Sequence, residues 1–241
     1  MRPFRDMDLG MVLRSNGQKM AVKVDSFTNE EIMANDLEIL ACNLYEEFRI
    51  EPVEIMEEEF SKRHIEQAKI KKRIEPFLQD YYEKEYVEVD GVIMVFYFPF
   101  TGWGELFKCY ASMFACGGYP DITVGMIYIS FVYEYSLEEV QGENAREKTL
   151  KKLEHDIKNI RDGISYANKD VEAYNLSLKQ QALQLLEEKK RHTLYIQRYV
   201  SSFLFFTATA PDLQPPQILL CLLILLLFYA NCSVLLYPSA P

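Results

Sequence analysis

Cysteine is scarce in this 241-residue chain, and its five copies, Cys42, Cys109, Cys116, Cys221 and Cys232, are odd in number and widely spread. No disulfide framework is implied, and a reducing compartment fits better. Histidine is scarcer. His64, His155 and His192 stand in no H-E-x-x-H or Cys–His spacing, and C-x-x-C is missing, so a zinc site has little support. Positive charge is also short: 26 basic residues against 36 acidic ones leave a net charge of −10. That balance argues against a dedicated polyanion binder. The N-terminus lacks an apolar run of signal-peptide length, so export by the usual route is not expected. At 49% apolar and 26% charged residues, the composition suits one domain or two small ones, not a collagenous or disordered chain.

The C-terminal stretch lacks charge altogether. The last charged residue is Asp212, and 213–241 carry none. Ile218 to Ala230 is unbroken apolar sequence and, allowing Asn231 and Ser233, the run reaches Tyr237. As a helix it would span about 30 Å, the thickness of a bilayer core. Ile218, Leu222, Leu225, Phe228 and Leu235 mark this candidate membrane segment. The basic residues Lys189, Lys190, Arg191 and Arg198 lie on its N-terminal side, which would keep the body cytoplasmic. Three readings stay open: a C-terminal anchor, a stretch translated from a shifted reading frame, and a buried core helix.

Helical signals come first in the body. Thr28-Asn29-Glu30-Glu31 fits a capping box, and Met33, Leu37, Leu40, Leu44 and Phe48 follow at spacings of three and four, predicting a helix over 28–50. Residues 54–75 are dense in charge, with Glu57, Glu58 and Glu59 early and Lys71, Lys72 and Arg73 late. That order suits a helix dipole and predicts a second, solvated helix. A polyanion contact through Lys69, Lys71, Lys72 and Arg73 is the lesser alternative.

The period then changes. Asp90-Gly91 reads as a hairpin turn, Val92–Phe98 as a buried strand, Leu106–Phe114 as a second strand and 122–135 as a last hairpin. Beyond them, Leu150, Leu153, Ile157, Ile160, Ile164, Ala167, Val171, Tyr174 and Leu178 keep heptad spacing across 143–200. They predict one long helix or a helical hairpin. The seam could bind a second copy of the chain or cover the sheet.

Few residues suggest chemistry. Gly102-Trp103-Gly104 is no phosphate loop. Cys116 is a lone thiol at a predicted strand end, with no base assignable. The triplet Glu57-Glu58-Glu59 points in different directions on a helix and makes a poor metal site. Trp103, the single tryptophan, reads as a packed turn residue, with an exposed contact aromatic as the alternative.

Several of these segments together carry a resemblance: Val89-Asp90-Gly91-Val92-Ile93, Phe98-Pro99-Phe100-Thr101-Gly102, Glu105-Leu106-Phe107, and Asp170-Val171-Glu172-Ala173-Tyr174-Asn175. They resemble the N-terminal region of a group of uncharacterised bacterial proteins, over roughly 60–200 of this numbering. Longer members of that group carry a C-terminal domain similar to restriction-endonuclease-like (PD-(D/E)xK) nucleases. The chain departs from the pattern at Trp103, where a polar residue usually stands, and everywhere past Ser201, where no acidic and lysine nuclease motif is visible. The resemblance therefore implies an accessory module near nucleic-acid processing or defence, without the nuclease.

The resulting expectation is an α+β fold, a small antiparallel β-meander packed on long helices with a C-terminal apolar helix. Its parts are an N-terminal arm (1–27), a helical segment (28–85), a sheet (86–135), a long or hairpin helix (143–200) and an uncharged tail (201–241). The expected role is a non-enzymatic interaction or oligomerisation module. The alternative is a tail-anchored inner-membrane protein with a cytoplasmic coiled-coil head. No cofactor and no small-molecule substrate is implied; the candidate partners are a second copy through the seam, a membrane through the tail, and nucleic acid through the Lys69–Arg73 cluster.

Overall fold

The computed structural model describes residues 1–56, 62–74, 85–113 and 118–209. Cys116, the Glu57-Glu58-Glu59 triplet and the candidate membrane segment from Ile218 to Leu235 lie outside them. Among the described residues no helix is long and apolar enough to cross a membrane.

The architecture is α+β, a mostly antiparallel sheet laid against one long helix. The first 27 residues are not an arm. Met7–Asp8 (β1) leads into a helix, Leu9–Ser26 (α1), whose first turn is capped by the Asp8 carboxylate accepting from the Met11 N–H. The Thr28–Glu31 capping box is present, but the helix it opens is short. Asn29–Ala34 (α2) stops, and Asp36 caps a new helix, Leu37–Phe48 (α3). The apolar stripe keeps its phase across the break, so periodicity alone reads one helix.

After Glu54–Ile55 (β2), the charged segment forms a strand, Lys62–Arg73 (β3), not a helix. It pairs antiparallel with Tyr86–Thr101 (β4) through twelve registered positions, from Lys62 opposite Tyr97 to Arg73 opposite Tyr86. Acidic groups on β4 match bases on β3: Asp90 stands opposite Lys69 and Glu88 opposite Lys71. Nor is Asp90-Gly91 a turn. Gly91 sits inside the ladder, where a Cβ would lie 2.6 Å from the Tyr135 carbonyl oxygen and 2.8 Å from the Ile70 side chain. The glycine answers crowding from both neighbouring strands.

A 3-10 turn, Gly104–Lys108, takes the start of the strand expected over Leu106–Phe114, and among the described residues of that stretch only Cys109–Tyr110 (β5) are strand, paired in parallel with β1. The last hairpin is as expected: Thr123–Val124 (β6) pairs with Tyr128–Ser136 (β7). The order is β2–β4–β7–β6, with β3 also on β4. Because the chain visits the β6 edge before returning to β7 beside β4, the sheet is not a simple meander. Alternation sends Ile129, Phe131 and Tyr133 inward and leaves Tyr128 and Val132 exposed.

A short helix, Leu137–Gln141 (α4), then precedes Ala145–Thr209 (α5), a single 65-residue helix about 97 Å long. Gly163 does not break it. The heptad seam is buried within the chain. Leu153, Ile160, Ile164, Ala167 and Val171 pack with Phe96, Phe98 and Phe131 of the sheet. Leu178, Ala182 and Leu186 pack with Met20, Val24, Ile32 and Leu44 of α1–α3. Leu150 is exposed, and Ile157 and Tyr174 are half-buried. One helix face is thus shared by two cores.

Candidate functional site

The segment between α3 and β2 crosses α5 and is held there by asparagine side chains. The Ile50 N–H donates to Asn175 Oδ1 (3.1 Å) and Asn175 Nδ2 donates to the Ile50 carbonyl (2.7 Å). Asn168 does the same for Val53, at 2.9 and 2.8 Å. Asn16 of α1 donates to the Phe48 carbonyl (2.6 Å) and to the Tyr174 hydroxyl (3.0 Å). From the sheet side, the Trp103 N–H donates to the Glu51 carbonyl (3.0 Å), and Gly102 adopts φ +87° against Pro52. A side chain at Gly102 would overlap the Pro52 carbonyl, which excludes every other residue there.

This fixed segment forms one wall of an open cleft of about 950 Å³. The opposite wall is the face of α1 carrying Met11, Ser15 and Lys19, one turn apart. Met7, Val12, Phe48 and Trp103 supply apolar surface, and Tyr110 of β5 stands at one side. The cleft carries the carboxylates of Asp6, Asp8, Glu47 and Glu51 against only two cations, Lys19 and Arg49. Arg49 is itself bound by Glu46 at 2.9 Å and lies 3.7 Å from Glu51. Glu47 meets Lys23 at 3.5 Å. Trp103 is a packed turn residue, half-buried against the core and lining the cleft.

None of the histidines lines the cleft. The Cys109 thiol, one residue from Tyr110, is buried; burial foremost, then Glu105, pushes its pKa up to about 11, where a thiolate is unavailable at neutral pH. Burial likewise raises the Tyr174 hydroxyl above its ordinary value. Among the described residues no cluster of three acidic, histidine or cysteine side chains could hold a metal ion.

The residues singled out from sequence scatter. Lys72 lies 3.7 Å from Glu139 and Arg73 lies 3.3 Å from Glu85, while Lys69 and Lys71 face acids across the ladder, so β3 presents mixed charge. Two of the four segments behind the resemblance, 98–102 and 170–175, meet at one place. Gly102 with Trp103 and Tyr174 with Asn175 grip the Phe48–Val53 segment from two sides. Sequence reading missed Asn16, Asn168, the carboxylates and Tyr110. The one available signal was Asn168 and Asn175 a heptad apart beside the apolar seam.

No protein-family model, no curated protein and no solved structure matches this chain.

Proposed function

We propose that the chain is a non-enzymatic interaction module that receives a short extended segment of a partner in the Trp103 cleft. The observation that carries this reading is the cleft itself, large enough for a few residues and floored by apolar side chains. Its walls are a helix and a segment pinned at both backbone groups of Ile50 and Val53. Pre-organised walls lower the ordering cost of binding. The resemblance adds a setting, an accessory part of proteins that process nucleic acid. Trp103 is the single tryptophan, so its emission reports on the cleft without labelling. Titration with basic, neutral apolar and acidic hexapeptides should give a saturable emission change for at least one class. No saturable change with any class would overturn the proposal.

A second reading, a membrane tether, is favoured by the far end of α5. Thr193, which donates to Asn29 (2.9 Å), is buried, and residues 194–202 after it are half-buried or exposed. The helix runs on for roughly 24 Å towards the uncharged stretch. Membrane fractionation of the expressed chain tests it; recovery in the soluble fraction after a carbonate wash would sink it.

A further inference from the structure

The charge and aromatic content of the cleft name its occupant. Four carboxylates, Asp6, Asp8, Glu47 and Glu51, outnumber the cations Lys19 and Arg49. With the partners that reach in from outside, Lys23 on Glu47 and Glu46 on Arg49, the excess stays at two negative charges. Trp103 and Tyr110 add aromatic rings, and a ring face beside carboxylates is the environment that attracts an ammonium or guanidinium group. The same chain already uses this contact elsewhere: Lys152 lies 4.9 Å over the Tyr133 ring and Lys169 lies 5.6 Å over Tyr166. The net charge of −10 adds a long-range pull of the same sign.

We infer that the cleft takes a cationic peptide segment, with an Arg or Lys side chain lying on Trp103 and its charge turned towards the Asp6, Asp8 and Glu51 carboxylates. This rests on the reading of the cleft as a binding site. It also gives a reason for the acidic composition: the body draws basic partners and repels nucleic acid.

The experiment titrates the full chain with hexa-arginine, hexaglutamate and an uncharged leucine-glycine hexapeptide, following Trp103 emission. Hexa-arginine should saturate the signal, and its affinity should fall at least about tenfold between roughly 20 and 200 mM salt. Asp6→Asn with Glu51→Gln should weaken it by about tenfold. Glu154→Gln with Glu187→Gln removes the same charge from exposed positions of α5 outside the cleft and should change affinity less than about twofold. Equal weakening by both pairs would mean general attraction and would overturn the inference. Saturation by the neutral or acidic peptide alone would overturn it while leaving the cleft as a binding site. Silence from all three would remove both. Matching thermal melts of the variants and the parent establish that each is folded.

Discussion

Asn168 and Asn175 stand seven residues apart on α5, and each closes a pair of hydrogen bonds with one residue of the segment after α3, Val53 and Ile50 respectively. Seven helical residues rise about 10.5 Å and three extended residues span about 10 Å, so the two spacings agree. Each side-chain amide acts as a strand would, offering one donor and one acceptor to a residue whose backbone groups are otherwise taken from water. The outer side of this segment is the cleft wall, so the clamp positions the site.

Asn168→Ala strands both backbone groups of Val53, which is 1% exposed, and should cost about 2–4 kcal/mol in urea unfolding. Asn168→Asp keeps the acceptor but turns a carboxylate oxygen towards the Val53 carbonyl. Its loss should shrink as pH falls and the carboxyl regains a proton. An Asn168→Ala variant as stable as the parent would contradict the clamp.

Gly163 gives a prediction whose sign opposes propensity. Alanine favours a helix over glycine by about 1 kcal/mol. Here an added Cβ would run into the Phe4 ring, which is 6% exposed and packs edge-on to Tyr119 at 4.9 Å. Gly163→Ala should therefore destabilise by about 1–3 kcal/mol. Adding Phe4→Ala should make the glycine replacement favourable, a reversal that a double-mutant cycle in urea reads directly.

A buried pair ties the sheet to the spine. The Tyr133 hydroxyl donates to Asp156 Oδ2 at 2.8 Å, and Asp156 is 8% exposed. Burial, then the Asp156 bond, raises the Tyr133 hydroxyl far above its ordinary value. Tyr133→Phe leaves the carboxylate without this donor and should cost about 1–3 kcal/mol. Joining it to Asp156→Leu should recover most of that loss, because neither partner is then left unmet. Chemical denaturation of the four proteins checks this.

Acid should loosen two helix starts. Glu31 and Glu139 accept the Thr28 and Ser136 backbone N–H groups at 2.7 Å, and those bonds hold both carboxyls below the ordinary value of 4.5. A value lower in the folded state means a stabilising contribution that is complete above 4.5 and is lost as pH falls through the folded value. Glu31→Gln with Glu139→Gln keeps a capping side chain but cannot titrate, so its stability should fall less steeply below about pH 4.5. Identical acid limbs for parent and variant would contradict this.

Much of the helical frame was legible from local signals. The Thr28 box, the heptad run from Leu153 to Leu178 and the β6–β7 hairpin all depend on residues close in sequence. The β3 strand was not legible, because ordered charge looks the same on a helix face and along a strand. What decides it is the pairing of Lys69 with Asp90 and Lys71 with Glu88 on the next strand, outside the reach of local periodicity. The same holds for Asp90-Gly91, a turn by composition and a crowded ladder position by tertiary contact. The seam could be located but not assigned a partner, since Met20 and Phe131 cover it from distant sequence. Of the cleft, only Trp103 stood out, because its walls come from segments brought together by the asparagine clamp.

The most direct test of the account places methyl probes on both sides of the question. Met7 and Met11 line the cleft, while Met113 and Met126 are 72% and 95% exposed outside it. With methionine methyl groups labelled and hexa-arginine added, resonances of Met7 and Met11 should shift and saturate together, with Met113 and Met126 unmoved. Shifts confined to Met113 and Met126, or spread evenly over all four, would contradict a binding site at Trp103.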